Sequence, residues 1–238
     1  MHKNDPCVQN SRTLEKLALD WGIALLGFAD LTGLEMGSLS HWPRAVSMAM
    51  ALDPAALAGV RDGPTLEYYE EYKRVNRALN EIAGRLSNFI LGLGHAAEPI
   101  PASWPEGGGN QESVKLLRAA FQHKTAATRA GLGWVGKNAL LITPDFGPRV
   151  RLATVLTDMQ LPVGEPQIEG RCGSCRACVE ACPAGALRGN QWAAGLSRDQ
   201  LVDARVCWQT ASSLIFERVG AENAVCGVCV AACPVGRS

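Results

Sequence analysis

Short apolar runs alternate with helical patterns over the first 160 residues, and eight of the nine cysteines crowd into the last third. Together these predict an α/β (α+β) N-terminal layer domain followed by a ferredoxin-like double-cluster domain. The boundaries fall at 1–160, a candidate cofactor- or partner-binding domain, and 161–238, the cysteine-ligated domain. One long amphipathic helix within the first domain is the third observation. It spans roughly Thr65 to Leu91 and opens after Gly63-Pro64. Its stripe Tyr72, Val75, Leu79, Ile82, Leu86, Phe89 steps by three and four, the spacing of a core-facing helix surface.

The other elements follow in chain order. Ser11 to Trp21 reads as a helix capped by Ser11, with Leu14, Leu17 and Trp21 on one face. Ile23–Phe28 is a short buried strand. Ala45 to Leu52 sets Val46, Met48, Met50 and Leu52 against Ala and Ser, a strand pattern. Tyr68, Tyr69 and Tyr72 cluster at the start of the long helix, as core packing. His95–Ile100 forms another strand, leading into the loop Pro105–Gly109, and a helix is expected from Ser113 to Arg129. Arg149–Thr157 is a further strand, with Arg149 and Arg151 on one of its faces, placed to pair locally or to meet an anion. Leu161–Gly170, with two prolines and two glycines, is the linker.

Lysine plus arginine equals aspartate plus glutamate at 23 each, so formal charge is zero. That balance argues against a broad nucleic-acid footprint. No run of eighteen apolar residues occurs, so no membrane span is expected. The N-terminus MHKNDPCVQN lacks the basic start and apolar core of a signal peptide, so a reducing, cytoplasmic setting is expected.

The cysteines carry the chemistry. Cys172, Cys175, Cys178 and Cys182 form C-x2-C-x2-C-x3-C, followed by Pro183; Cys207 stands alone; Cys226, Cys229 and Cys233 form C-x2-C-x3-C, followed by Pro234. The first run is a known bacterial ligand pattern for [4Fe–4S] clusters, in which the fourth cysteine serves the other cluster. Three closely spaced thiolates wrap one cubane, and the fourth lies past a turn. Cys172, Cys175, Cys178 and Cys233 are therefore assigned to one cluster, and Cys182, Cys207, Cys226 and Cys229 to the second. Zinc prefers closed sets of four from paired arms, which this spacing suits less well. Cys7 is left over as a lone thiol. Gly173, Gly185 and Gly227 allow the loops to turn backbone N–H groups towards sulfur.

Gly131-Leu132-Gly133-Trp134-Val135-Gly136-Lys137-Asn138 contains G-x-G-x-x-G. It follows a helix, whereas a dinucleotide fingerprint follows a strand. Its glycines allow close approach to the backbone by a cofactor, a cluster or another chain segment. Lys137 suits either a cofactor phosphate or carboxamide or a helix cap, Trp134 packs across the loop, and His95 and His123 are read as structural or as cobalt or proton ligands.

His123-Lys124, Ala130–Asn138, Leu140–Ile142, Leu156-Thr157-Asp158, the motif from Cys172, Asp203-Ala204-Arg205-x-Cys207 and Cys226-Gly227-x-Cys229 together resemble the epoxyqueuosine reductase family, over about residues 115–238. That family is similar to the corrinoid-dependent reductive dehalogenases. The resemblance implies an oxidoreductase in which two [4Fe–4S] clusters feed electrons to cobalamin held against the α/β domain. It implies the same cluster ligands, and places Gly131, Gly133, Trp134, Gly136, Lys137 and Asn138 at the corrinoid. An electron donor of ferredoxin or flavodoxin type is the implied partner. Two departures stand out. The family's proposed proton donor, an Asp in a D-S/T-A-P segment, aligns with Leu117, with Glu112 and Asp145 as the nearest substitutes. The chain also stops at Ser238, so the family's C-terminal helical-repeat extension is expected to be absent and tRNA is not expected as a partner. The expected function is a cobalamin-dependent reductase with a different or unknown substrate. The alternatives are an electron-transfer module or reductive activator docking a corrinoid protein, and a non-redox cluster protein that is structural or binds nucleic acid.

Overall fold

The computed structural model describes residues 6–103 and 115–237. The expected loop Pro105–Gly109, Glu112 and the start of the helix expected from Ser113 lie outside those residues. Contacts gather the chain into two compact units. The first is Met1–Ala51, Val75–Leu132 and Arg151–Gln167; the second is Leu52–Arg74, Gly133–Val150 and Ile168–Ser238. The linker led to an expected sequential split at residue 160, whereas by contacts the first unit runs on to Gln167. The segments 52–74 and 133–150, however, belong with the cysteine-rich part.

The first unit is built on a four-stranded sheet. Strand β1 (Leu25–Asp30) pairs antiparallel with β2 (Arg44–Ala51), Phe28 facing Val46. Strand β3 (Ala97–Ile100) pairs antiparallel with β6 (Val150–Thr157), Ile100 facing Thr154. The strand order is β1-β2-β6-β3. Every residue of β2 from Ala45 to Met50 is buried, as is β6 from Ala153 to Thr157. Burial at consecutive positions, not alternate ones, means that both sheet faces are covered. This is the layered α/β arrangement.

Helix α1 spans Pro6–Asp20, so Ser11 is an interior residue and not its cap. Its hydroxyl donates to the Val8 carbonyl at 2.9 Å, a local bond that satisfies a buried serine within a helix. A short helix α2 (Pro54–Leu57) is capped by the Asp53 carboxylate, and α3 spans Leu66–Gly92. On α3, Val75, Leu79, Ile82 and Leu86 are buried as the stripe predicts, while Ile90 and not Phe89 completes the core. Of the helix expected from Ser113 to Arg129, residues 115–116 are helical, the helix breaks over 117–122, and α4 runs over His123–Arg129. Leu117 adopts φ +48°, in the left-handed region that ends a helix, and Phe121 is drawn into a core with Trp42, Ala45 and Ala130. Tertiary burial there overrides helical propensity.

The second unit holds the two-residue strands β4 (Trp134–Val135) and β5 (Leu141–Ile142), paired antiparallel. It also holds helices α5 (Ala177–Glu180), α6 (Ala204–Val219) and α7 (Val228–Ala232), with α5 and α7 in contact. Asp203 caps α6, its carboxylate accepting from Val206 N at 3.1 Å. No helix among the described residues is long and apolar enough to cross a membrane.

Candidate metal centre

The glycine-rich segment becomes the β4–β5 hairpin, and the chain itself makes the close approaches its glycines permit. A Cβ on Gly133 would stand 2.1 Å from the Ile142 carbonyl oxygen, and one on Gly131 would stand 2.9 Å from that of Glu165. Beyond Gly133 the segment is buried: Trp134, Lys137 and Asn138 are 7%, 6% and 5% exposed. Lys137 Nζ donates to the carbonyls of Gly173 at 2.7 Å and Cys175 at 3.0 Å. Asn138 Nδ2 donates to the Cys229 carbonyl at 3.4 Å, while its Oδ1 accepts from Leu140 N at 3.2 Å. The hairpin thus braces both cysteine loops, Lys137 the first and Asn138 the second.

A second brace comes from the segment after β5. Arg149 donates from Nη1 to the Cys233 carbonyl at 3.0 Å and from Nη2 to that of Val235. Gly147 permits this: at φ +56°, its Cβ position lies 2.1 Å from the Val235 carbonyl oxygen. Sequence reasoning placed Arg149 on a strand face with Arg151. The two part instead, Arg151 donating to Asn76 Oδ1 at 3.0 Å. Pro148, which delays β6 until Val150, is the signal that separates them. Tyr68, expected to pack in the core, is buried, and its ring covers Gly227, at φ +82°, beside Cys226.

The thiols fall into two groups by their electrostatic neighbours. Burial raises the Cys178 thiol to about 11, and its charged neighbours are Cys233, Cys172 and Cys175. Burial also raises Cys233, whose neighbours are Cys172 and Cys175, while the Val235 N–H and Arg149 oppose that shift. Cys207 and Cys226 are raised by burial, and each next feels Cys182. Cys229 is raised by burial, then by Cys207 and Cys226, and more weakly by Cys178 and Cys182. By these interactions Cys178 and Cys233 lie near Cys172 and Cys175, and Cys207, Cys226 and Cys229 lie near Cys182; Cys178 also packs in one hydrophobic cluster with Cys182, Cys207 and Cys229. The Val228 N–H donates to Cys226 sulfur, and the Val235 N–H to Cys233 sulfur.

This donor set suits a large polynuclear centre. Zinc wants four sulfurs about 2.3 Å from one point. Among the described residues no three His, Cys, Asp or Glu side chains converge so as to hold a single ion. Burial and neighbouring thiols raise the pKa of Cys178, Cys207, Cys226, Cys229 and Cys233, so these bind as thiolates only where metal charge offsets the cost of burying negative charge. Trp134 adds a second sign. Its ring packs with Ile142 and Cys233 and beside Cys172, yet its buried Nε1–H has no acceptor among the described residues. A bound cluster would offer such a donor a sulfide acceptor.

His95 and His123 lie elsewhere, in the first unit. His95 faces Asp158 at 3.5 Å. His123 sits between Thr154 Oγ1 at 2.8 Å and the Pro101 carbonyl at 2.9 Å, and burial lowers its pKa to about 4. Cys7 lies in the first turn of α1. In the second unit a cavity of about 660 Å³ opens beside α7, lined by Leu57, Val60, Phe146 and Val228 and by Arg61 and Arg149.

Residues 171–236 match the family described as the 4Fe-4S double cluster binding domain. An epoxyqueuosine reductase of Bacillus anthracis is 47% identical over 64 residues, which is 27% of this chain and 17% of that protein. A reductive dehalogenase, whose structure is described as suggesting a mechanism for B12-dependent dehalogenation, superposes with TM-score 0.70 at 19% identity. That match covers 100% of this chain and 33% of the dehalogenase. An epoxyqueuosine reductase bound to a modified tRNA stem loop gives TM-score 0.63 at 19% identity, covering 97% of this chain and 66% of its own. The chain therefore spans well under half the length of the curated relative and shares the fold of both enzyme types. What the comparisons and the residues establish together is a 4Fe-4S double cluster binding domain at residues 171–236, in a chain similar to the epoxyqueuosine reductases and folded like the reductive dehalogenases.

Proposed function

We propose that this chain is a two-cluster redox protein, an oxidoreductase related to the epoxyqueuosine reductases, working on a substrate of its own with cobalamin as its second cofactor. The observation that supports the redox reading is the match of residues 171–236 to the 4Fe-4S double cluster binding domain, a segment that holds eight cysteines. Cys172, Cys175, Cys178 and Cys233 hold one [4Fe–4S] cluster, and Cys182, Cys207, Cys226 and Cys229 the other. When bound, such clusters supply single electrons at potentials that can reach several hundred millivolts below zero. The chain's own contribution is to brace the ligand loops through Lys137, Asn138 and Arg149, and to keep water from the buried Cys178 and Cys233. The cobalamin reading is supported by the fold shared with a reductive dehalogenase whose structure is described as suggesting a B12-dependent mechanism. An electron donor of ferredoxin or flavodoxin type and a cytoplasmic setting belong to this proposal. With formal charge zero, tRNA does not.

The test is to load the clusters anaerobically and titrate with hydroxocobalamin. Retention of one corrinoid through gel filtration, with a shifted visible spectrum, is expected; no retention overturns the cobalamin part. A specific observation favours a second reading, an electron-transfer module docking a corrinoid protein. The hairpin that the resemblance puts at a corrinoid is packed from within by Ile142 and buried at Trp134, Lys137 and Asn138. Reduction of an added corrinoid protein, without retention of free corrinoid, is the outcome this module predicts.

A further inference from the structure

The two thiol groups sit in different electrostatic surroundings. Two cations act directly on the loops of the Cys172/Cys175/Cys178/Cys233 group. Lys137, 6% exposed, donates to the Gly173 and Cys175 carbonyls, and Arg149 donates to the Cys233 carbonyl. A third residue, Trp134, packs with Cys233 and Cys172, and its buried indole N–H has no acceptor among the described residues. The Cys182/Cys207/Cys226/Cys229 group has a different set. Asp203, the N-cap of α6, places its carboxylate one helical turn before Cys207, whose N–H donates to the Asp203 carbonyl at 3.0 Å. Arg188 lies 3.6 Å from Asp203 and offsets part of it, and the hairpin offers this side only the neutral amide of Asn138.

Adding an electron to a cluster adds negative charge, so cations and N–H donors at the ligands favour the reduced state and a carboxylate disfavours it. We propose that the centre on Cys172, Cys175, Cys178 and Cys233 is the more easily reduced of the two, with Lys137, Arg149 and Trp134 as the residues that make it so. The inference rests on the two-cluster reading above. Each centre takes up one electron on reduction, supplied by the one-electron donor of ferredoxin or flavodoxin type.

The test is an anaerobic redox titration followed by electron paramagnetic resonance, with iron and sulfide measured on the same samples. Trp134→Phe keeps the ring and removes the N–H, Lys137→Met removes the charge, and Lys137→Arg keeps it. Asp203→Asn keeps the helix cap and removes the opposing charge. In Lys137→Met, the reduced-to-oxidised ratio of the higher-potential centre should fall about tenfold at the wild-type midpoint, which is about 59 mV for one electron. Trp134→Phe should move the same centre about threefold in the same direction, and Lys137→Arg should restore it. Asp203→Asn should raise the lower-potential centre alone. If iron and sulfide are retained while Trp134→Phe and Lys137→Met leave the higher-potential centre in place, or if Asp203→Asn moves that centre instead, the assignment is overturned. A wild-type protein without two clusters would overturn the two-cluster reading instead.

Discussion

Gly133→Ala tests whether the β4–β5 hairpin is the brace on which both cysteine loops depend. The added methyl would lie 2.1 Å from the Ile142 carbonyl oxygen and 2.9 Å from its carbon, whereas real Cβ contacts essentially never fall under 3.0 Å. The obstacle is backbone, so no side chain can swing aside, and the strands must part by about 0.9 Å, the gap between 2.1 and 3.0 Å. Only two residue pairs hold this hairpin, Trp134 with Ile142 and Val135 with Leu141, and the clash strikes beside the first. Overpacking of this kind costs about 1–3 kcal/mol. For a chain of this size each kcal/mol corresponds to roughly 2–4 °C, so the melting temperature should fall by about 2–12 °C. Gly84→Ala is the contrast. It lies inside α3, where an added Cβ would meet nothing within 4 Å beyond the helix's own backbone, and alanine there should raise stability by about 0.5–1 kcal/mol. The assay is anaerobic circular dichroism of cluster-loaded protein at one fixed scan rate, with iron counted before each scan. A Gly133→Ala protein as stable as wild type, with its full iron content, would refute the bracing role of the hairpin.

Three further outcomes are expected. Cys229→Ser should lose roughly one of two clusters, halving iron and sulfide, whereas Cys7→Ser should lose neither; equal losses in both would contradict the ligand assignment. Burial holds His123 neutral, with its pKa lowered from 6.5 to about 4. The folded state therefore binds this proton less readily than the unfolded one, and the contribution is present above pH 6.5 and lost as pH falls towards 4. Its size is on the order of 1–3 kcal/mol, and His123→Gln should flatten the fall in melting temperature over that window. Glu71, 8% exposed, accepts from Asp53 N at 2.9 Å and takes a two-pronged contact from Arg74 at 2.7 and 2.8 Å, which lowers its pKa. Glu71→Ala should cost about 1–3 kcal/mol at pH 7, and the wild-type advantage should shrink as pH drops below about 4.5, where the unfolded carboxyl begins to protonate.

The elements that could be read from sequence were those whose own residues repeat with a structural period. The α3 stripe spans some five turns, enough to fix the helix ends to within a residue or two. The cysteine spacing likewise pointed to thiols drawn from two motifs into each set of four. Where partners lie far apart in sequence, the chain says less. The spacing Gly131, Gly133, Gly136 reveals that something comes close, but not that Ile142 and Glu165 do, because two-residue strands are too short to show a period. Arg149 looked like a strand residue; its true partners, Cys233 and Val235, are more than eighty positions away. Residues 117–122 were expected to be helical, yet burial of Phe121 against Trp42 outweighs what a helix through Leu117 would have gained. The linker at Leu161–Gly170 was visible from its prolines and glycines. No local composition could show that 52–74 and 133–150 join the cysteine-bearing unit.

The central claim, that eight thiols hold two cubanes between them, is tested most directly by metal and sulfide analysis of protein reconstituted without oxygen. Roughly eight irons and eight acid-labile sulfides per chain, with a broad absorption that bleaches on reduction, are the expected result. Four of each, or stoichiometric zinc with no sulfide, would contradict it.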